Sequence, residues 1–193
     1  MYKIVVNLID SIANVKVTVG GDAQGSDTLI NIENVIGTAG KDTFTGDNEN
    51  NSFVGGLNDD TFYATSDVDG ADTIDGDDVT NSGSDTVDYS ALTNNANKIV
   101  VDLSTLNGGY SDVIVTAATG ESSNSTANDD KIVNIENIIA TFGNDTITGN
   151  SVANIIDGGN GIEEMRYDYS SVASTGVKVD LSTGTATETV SST

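Results

Sequence analysis

The chain contains no cysteine, no histidine, no proline and no tryptophan. Without cysteine there is no disulfide framework and no thiolate metal site. Without histidine the usual general base, the Ser-His-Asp type of triad and the commonest zinc ligand all drop out. Aromatic residues make up only 5% of the sequence. Positive charge is scarce as well. Seven Lys and Arg stand against 30 Asp and Glu, a formal net charge of −23 over 193 residues. That balance argues against nucleic-acid binding, which needs a basic surface. It predicts strong self-repulsion where no cations screen it. No apolar run approaches membrane-spanning length. The opening MYKIVVNLID lacks the long apolar core and small-residue cleavage site of a signal peptide. The expectation is export by a route that needs no N-terminal signal, or a segment of a longer chain.

What the sequence does contain is a period. From Gly37 to Tyr63 it reads GTAGKDTFT, GDNENNSFV, GGLNDDTFY, three nine-residue units end to end. Each opens on glycine (Gly37, Gly46, Gly55), carries Asp42, Asn51 or Asp60 at its sixth place, and Phe44, Phe53 or Phe62 at its eighth. Such a unit reads as a polar turn followed by a brief strand with one inward apolar residue. If two units complete one circuit, residues 18 apart stack on adjacent parallel strands, about 4.8 Å apart. Asp42 and Asp60 would then lie one above the other. Stacked carboxylates repel, and a cation between them reverses the repulsion. All-oxygen surroundings favour a hard ion, and calcium accepts mixed carboxylate and carbonyl ligands.

Gly55-Gly56-Leu57-Asn58-Asp59-Asp60-Thr61-Phe62 resembles the RTX nonapeptide repeat, G-G-x-G-x-D-x-U-x, a calcium-binding β-helix repeat. Asn58 replaces its third glycine. Gly37-Thr38-Ala39-Gly40-Lys41-Asp42-Thr43-Phe44 fits except at Thr38. The middle unit is degenerate, with Asn51 in place of aspartate. The resemblance implies an all-β, right-handed parallel β-solenoid, or β-roll, with Ca2+ between same-side loops. Its ligands would be the sixth-place carboxylates and carbonyls near the first and third places. The best site would join Gly37, Ala39 and Asp42 to Gly55, Leu57 and Asp60. Asp72 and Asp85 would line later, less regular sites.

Alternating apolar residues mark two strands in residues 1–19: Ile4, Val6 and Leu8, then Val15, Val17 and Val19. Gly20 to Asp27 reads as a polar loop. Leu29 to Ile36 reads as two short strands around an asparagine-rich corner, a lead-in also familiar from RTX-containing proteins. After Tyr63 extra residues loosen the register. Gly70-Ala71-Asp72-Thr73-Ile74 restores it, and Gly83-Ser84-Asp85-Thr86-Val87 closes the series. Insertions in such arrays bulge outward while stacking continues, so Asp85 should follow Asp60 and Asp72 should follow Asn51.

The whole block then recurs. Asn31-Ile32-Glu33-Asn34-Val35-Ile36 returns as Asn134-Ile135-Glu136-Asn137-Ile138-Ile139, an offset of 103 residues. Gly40-Lys41-Asp42 returns at Gly143-Asn144-Asp145, and Gly55-Gly56 at Gly158-Gly159, with the same offset. The exit motif Asp88-Tyr89-Ser90 returns as Asp168-Tyr169-Ser170, offset by only 80, so the second copy has lost the region around 64–84. The division is 1–90 for the first long repeat, 91–170 for the second, and 171–193 for the start of a third. In the second copy Asp145, Gly158, Asn160 and Glu163 would form the matching site, with Glu163 where aspartate is expected.

The acidic doublets Asp77-Asp78 and Asp129-Asp130 are poor acid/base pairs, since nothing implies a pocket; loop aspartates facing metal or solvent is the plainer reading. Threonines alternating at Thr43/Thr45 and Thr146/Thr148 read as solvated strand face. No catalytic residue is expected. The resemblance implies type I secretion and folding on meeting extracellular calcium. The leading expectation is a structural or adhesive module of a bacterial surface protein: a surface layer, filament or adhesin. The alternatives are a non-catalytic tail of a secreted protease, lipase or epimerase, and a carbohydrate-binding face. Expected partners are calcium ions and like modules stacked head to tail, with no nucleic acid and no transmembrane segment.

Overall fold

The computed structural model describes residues 2–8, 12–19, 22–64, 70–77, 83–92, 98–104, 111–116, 130–150, 152–167, 174–180 and 185–190. Asp78, Asp129, Tyr110 and the exit motif 168–170 lie outside them. Among the described residues all regular structure is β, in 18 strands. No helix there is long and apolar enough to cross a membrane.

The nonapeptide region builds two sheets at once. Strands β4 (Asn34–Ile36), β6 (Ser52–Gly56) and β8 (Thr73–Asp77) pair in parallel in one sheet. Strands β5 (Thr43–Thr45), β7 (Thr61–Tyr63) and β9 (Thr86–Asp88) pair in parallel in the other. Each three-residue strand turns its middle side chain inward. Phe44 faces Phe62 in register, and Phe62 faces Val87. Phe44 and Phe62 stack with ring centroids 4.9 Å apart and planes 10° off parallel, while Phe53 meets Phe44 from the opposite sheet at 5.4 Å. The core is therefore a narrow file of single apolar residues, held by neighbours above and below. The insertions do not disturb it. Ser52 pairs with Thr73 and Thr61 with Thr86, so the extra residues are absorbed between strands.

Each block opens on antiparallel strands rather than on more parallel ones. β1 (Tyr2–Asn7), β2 (Ile12–Val19) and β3 (Asp22–Ile30) pair antiparallel in succession, and β1 then lies parallel to β5. The same arrangement returns in β10 (Lys98–Asp102), β11 (Ser111–Thr116) and β12 (Asp130–Val133). A parallel-only stack is thus too simple. The polar loop expected at 20–27 is also replaced, because β3 begins at Asp22. Its polar sequence has little strand propensity of its own, and the long pairing with β2 imposes the conformation.

The second block continues both sheets. β12 lies on β8, and β13 (Asn137–Ile139) lies on β9. β14 (Thr146–Thr148) and β16 (Glu164–Arg166) extend from β10, and β15 (Ile156–Asp157) extends from β13. The result is two open eight-stranded sheets, one ending in β3 and β15, the other in β4 and β16. β17 (Ser174–Asp180) and β18 (Thr185–Val190) form a separate antiparallel pair.

Candidate cation site

The acids that precede the inward apolar residues form columns. Asp42 accepts the backbone N–H of Ile4 at 2.6 Å and that of Thr38, and Thr38 Oγ1 adds a third bond at 3.1 Å. The N–H of Asp42 donates to Asp60 Oδ1 at 2.7 Å. The N–H of Asp60 donates to Asp85 Oδ1 at 2.7 Å, and that of Asp85 to Glu136 Oε2 at 2.8 Å. Each acid thus takes the backbone hydrogen bond of the acid one level away. A second column runs from Asn51 to Asp72 Oδ1 at 2.9 Å and from Asp72 to Asp130 Oδ1 at 2.8 Å. The second block repeats the first column's opening: Ile99 N–H to Asp145 Oδ1 at 2.7 Å, Thr141 N–H to Asp145 Oδ2 at 3.0 Å, and Asp145 N–H to Glu163 Oε2 at 2.6 Å.

Asp42, Asp60, Asp85 and Asp145 are all buried. In the first column the hydrogen bonds fall short of what the charges require. Asp60 Oδ2 and Asp85 Oδ2 are buried with no hydrogen-bond partner. Desolvation pushes the Asp60 carboxyl up to about 7, partly opposed by the Asp42 N–H and reinforced by the charges of Asp42, Asp77 and Asp59. Desolvation pushes Asp85 up to about 8, with Asp77, Asp60 and Glu136 adding repulsion. Burial also raises Glu136, and Asp77 acts on it in the same sense. Asp145 is raised by burial but relieved by Ile99 and Thr141.

No family model and no curated protein matches this chain.

The column brings together Asp42, Asp60 and Asp85 on one side, and Asn51 and Asp72 on the other, in the predicted order. Asn58, which stands in for the repeat's third glycine, adopts φ 71°, so the left-handed turn survives the substitution. Its Nδ2 donates to the Ala39 carbonyl at 3.0 Å, linking the two loops expected to share an ion. Gly55 is buried and closely approached: a Cβ there would sit 2.5 Å from the Gly76 carbonyl oxygen. Gly37 and Leu57 are half-buried, and Ala39 is exposed. In the second block Gly158 is half-buried, and Asn160 and Glu163 are exposed. Glu163 reaches the Asp145 N–H from outside, so that site is open where the first is closed.

Glu136 escaped the sequence reading of the site, and Asp77 and Asp130, read there as loop aspartates facing metal or solvent, lie instead in β8 and β12. All are buried, and Asp77 sits in the electrostatic field of Asp60, Asp85 and Glu136. The signal for Glu136 was present, since Glu33 and Glu136 recur at the block offset. Asp77 carried no such signal, because the extra residues on either side of β8 broke the nine-residue count that would set it opposite Gly56. Among the described residues no group of three or more carboxylates converges as a side-chain metal-ligand set. Backbone carbonyls would have to complete any shell around Asp60 and Asp85. The two unpartnered oxygens suit a hard cation.

Proposed function

We propose that the chain is a calcium-binding structural module of β-roll type, a parallel β-solenoid that serves in a secreted bacterial surface assembly such as a surface layer, filament or adhesin. The observation that carries this reading is the pair of buried carboxylate oxygens without partners, Asp60 Oδ2 and Asp85 Oδ2, in a column of stacked acids. An unpaired buried charge is costly, and a bound cation removes the cost. The net charge of −23 acts in the same direction, since it opposes compaction until cations neutralise it. Calcium suits the oxygen donors better than a softer metal, and it tolerates irregular shells better than magnesium does. Metal binding in such a site is coupled to folding, which fits a protein exported unfolded and folded outside the cell. The RTX-like nonapeptides support type I secretion and an extracellular location.

Far-UV circular dichroism with thermal melts, first in excess chelator and then in millimolar calcium, tests this reading. The expected result is a gain of β signal and a higher melting temperature with calcium and not with magnesium. Identical spectra and melts in chelator and calcium would remove calcium from the account.

A further inference from the structure

The two ends of the stack are apolar, and one of them has a buried counterpart inside the molecule. Among the described residues, the exposed large apolar side chains are Ile30, Ile32 and Ile36 at the β3–β4 end, Val152, Ile155 and Ile162 beside β15 and β16, and Tyr63 between. The block offset maps Ile30, Ile32 and Val35 onto Val133, Ile135 and Ile138. Ile30 is 58% exposed and Val133 9%; Ile32 is 38% exposed and Ile135 3%. The sequence is the same in kind, and only the neighbours differ. β12 and β13 are covered by β8 and β9 of the preceding block, whereas β3 and β4 end their sheets.

The internal junction shows what such a covering uses. Ile138 pairs with Val87 and Ile132 with Ile74. Asp85 N–H donates to Glu136 Oε2, Asn134 Nδ2 to Asp75 Oδ1 at 2.8 Å, and the Tyr89 hydroxyl to Asp130 Oδ2 at 2.8 Å. The β3–β4 end carries the same groups at the block offset: Asp27, Asn31 and Glu33. Its corner has the same shape, since Asn31 has φ 54° and Asn134 φ 55°. A groove of about 650 Å³ lined by Leu8, Leu29, Ile32 and Glu33 opens there. In the second block Ile132, Ile135 and Glu136, at the block offset from Leu29, Ile32 and Glu33, are buried.

We propose that the β3–β4 end docks the β15–β16 end of a second copy of this chain, continuing both sheets from one molecule into the next. It rests on the structural-module reading, but on its packing and not on its calcium. Carried over from the internal junction, the registers set Leu29 against Ile156, and Asn34, Val35 and Ile36 against Glu164, Met165 and Arg166. Glu33 then receives the N–H of Glu163, as Glu136 receives that of Asp85. Tyr167 follows Met165 by two residues, as Tyr89 follows Val87, and so approaches Asp27. The contact joins unlike surfaces and does not close on itself, so it propagates as an open filament.

The absence of cysteine makes the test direct. Asn34→Cys and Glu164→Cys are placed separately in the full chain, at exposed positions facing each other across the docked strands. Neighbouring strand positions lie within disulfide range. In calcium and physiological salt, mild oxidation of the mixture should give the mixed dimer at least about tenfold above the homodimers of either variant alone. Ile36→Lys in the Asn34→Cys chain sets like charge against Arg166 across the docked strands and should abolish that excess, with an unchanged circular dichroism spectrum. A mixed dimer no more abundant than the homodimers would overturn the proposal, as would a wild-type chain that sediments as a monomer at 100 μM scale. Cross-linking by a chain that folds equally well in chelator would sink the calcium reading and keep this one. A calcium-folded monomer would do the reverse.

Discussion

Asp60 and Asp85 each satisfy one carboxylate oxygen with a backbone N–H and leave the other buried and unpartnered. The amide isostere separates the two roles. In Asp60→Asn the side-chain oxygen can still accept the Asp42 N–H, while the buried charge disappears. At pH 8.5, where the Asp60 carboxyl is ionised, the metal-free chain should therefore gain stability, on the order of 1–3 kcal/mol, because desolvation no longer penalises a charged group. The same variant should lose calcium affinity by about tenfold or more, since a neutral amide oxygen is a weaker ligand for a hard cation. Denaturant melts in chelator together with calorimetric calcium titration read the two effects. A variant less stable in chelator and unchanged in calcium affinity would mean that Asp60 serves the backbone alone. Asp42 is placed differently, since Thr38 supplies both an N–H and a hydroxyl to it. The surface pair Lys41 and Asp59 is exposed on both sides and adds little.

At the scale of the strand, stability rests on a file of single side chains. Phe62 is 1% exposed and stacks on Phe44. Phe62→Ala should cost about 3–5 kcal/mol, with Phe62→Leu much milder, because the alanine leaves a void that neighbouring levels cannot close. In a stack held by nearest neighbours the loss should be local. Amide exchange should rise first in 43–45, 61–63 and 86–88 and later in 137–139; uniform loosening of the whole chain would contradict the level-by-level picture. This file explains why so much of the architecture was legible in the sequence. One glycine, one acid and one apolar residue per nine positions set the turn, the column and the core, and Asp42, Asp60 and Asp85 fell where that spacing put them. Features that depend on a distant partner were not legible. β3 is a strand because β2 lies beside it, although Gly25, Ser26 and Asp27 read as a loop. Asp77 joins the acids because the residues inserted between β7 and β8 leave β8 in register on β6, which sets Asp77 opposite Gly56. The block repeat was plain, yet the antiparallel openings of both blocks were not, since alternation alone does not say which way a neighbouring strand runs.

Over the whole molecule, charge and burial combine into a pH dependence whose sign runs opposite to that of most proteins. Carboxylates in folded proteins are usually stabilised as anions, so acid unfolds the chain. Here burial holds Asp60 up to about 7 and Asp85 up to about 8, against an ordinary value of 3.8. The fold binds protons more tightly than the unfolded chain does. The stability these two groups contribute in their protonated form is fully present below about pH 4 and is lost as pH rises through 7 and 8. Self-repulsion among the 30 acidic residues adds to the loss as they ionise. In chelator the urea midpoint should therefore be higher at pH 5.5 than at pH 8.5. Calcium competes with protons for the same oxygens, so its affinity should rise across that interval and the stability difference should shrink or reverse in saturating calcium. The double variant Asp60→Asn, Asp85→Asn separates the column from the overall charge. It should flatten the dependence between pH 6 and 8 while leaving the response to ionic strength in place. An undiminished pH slope in the double variant would assign the effect to the surface charge as a whole, and the column would then be a backbone scaffold and not a cation site.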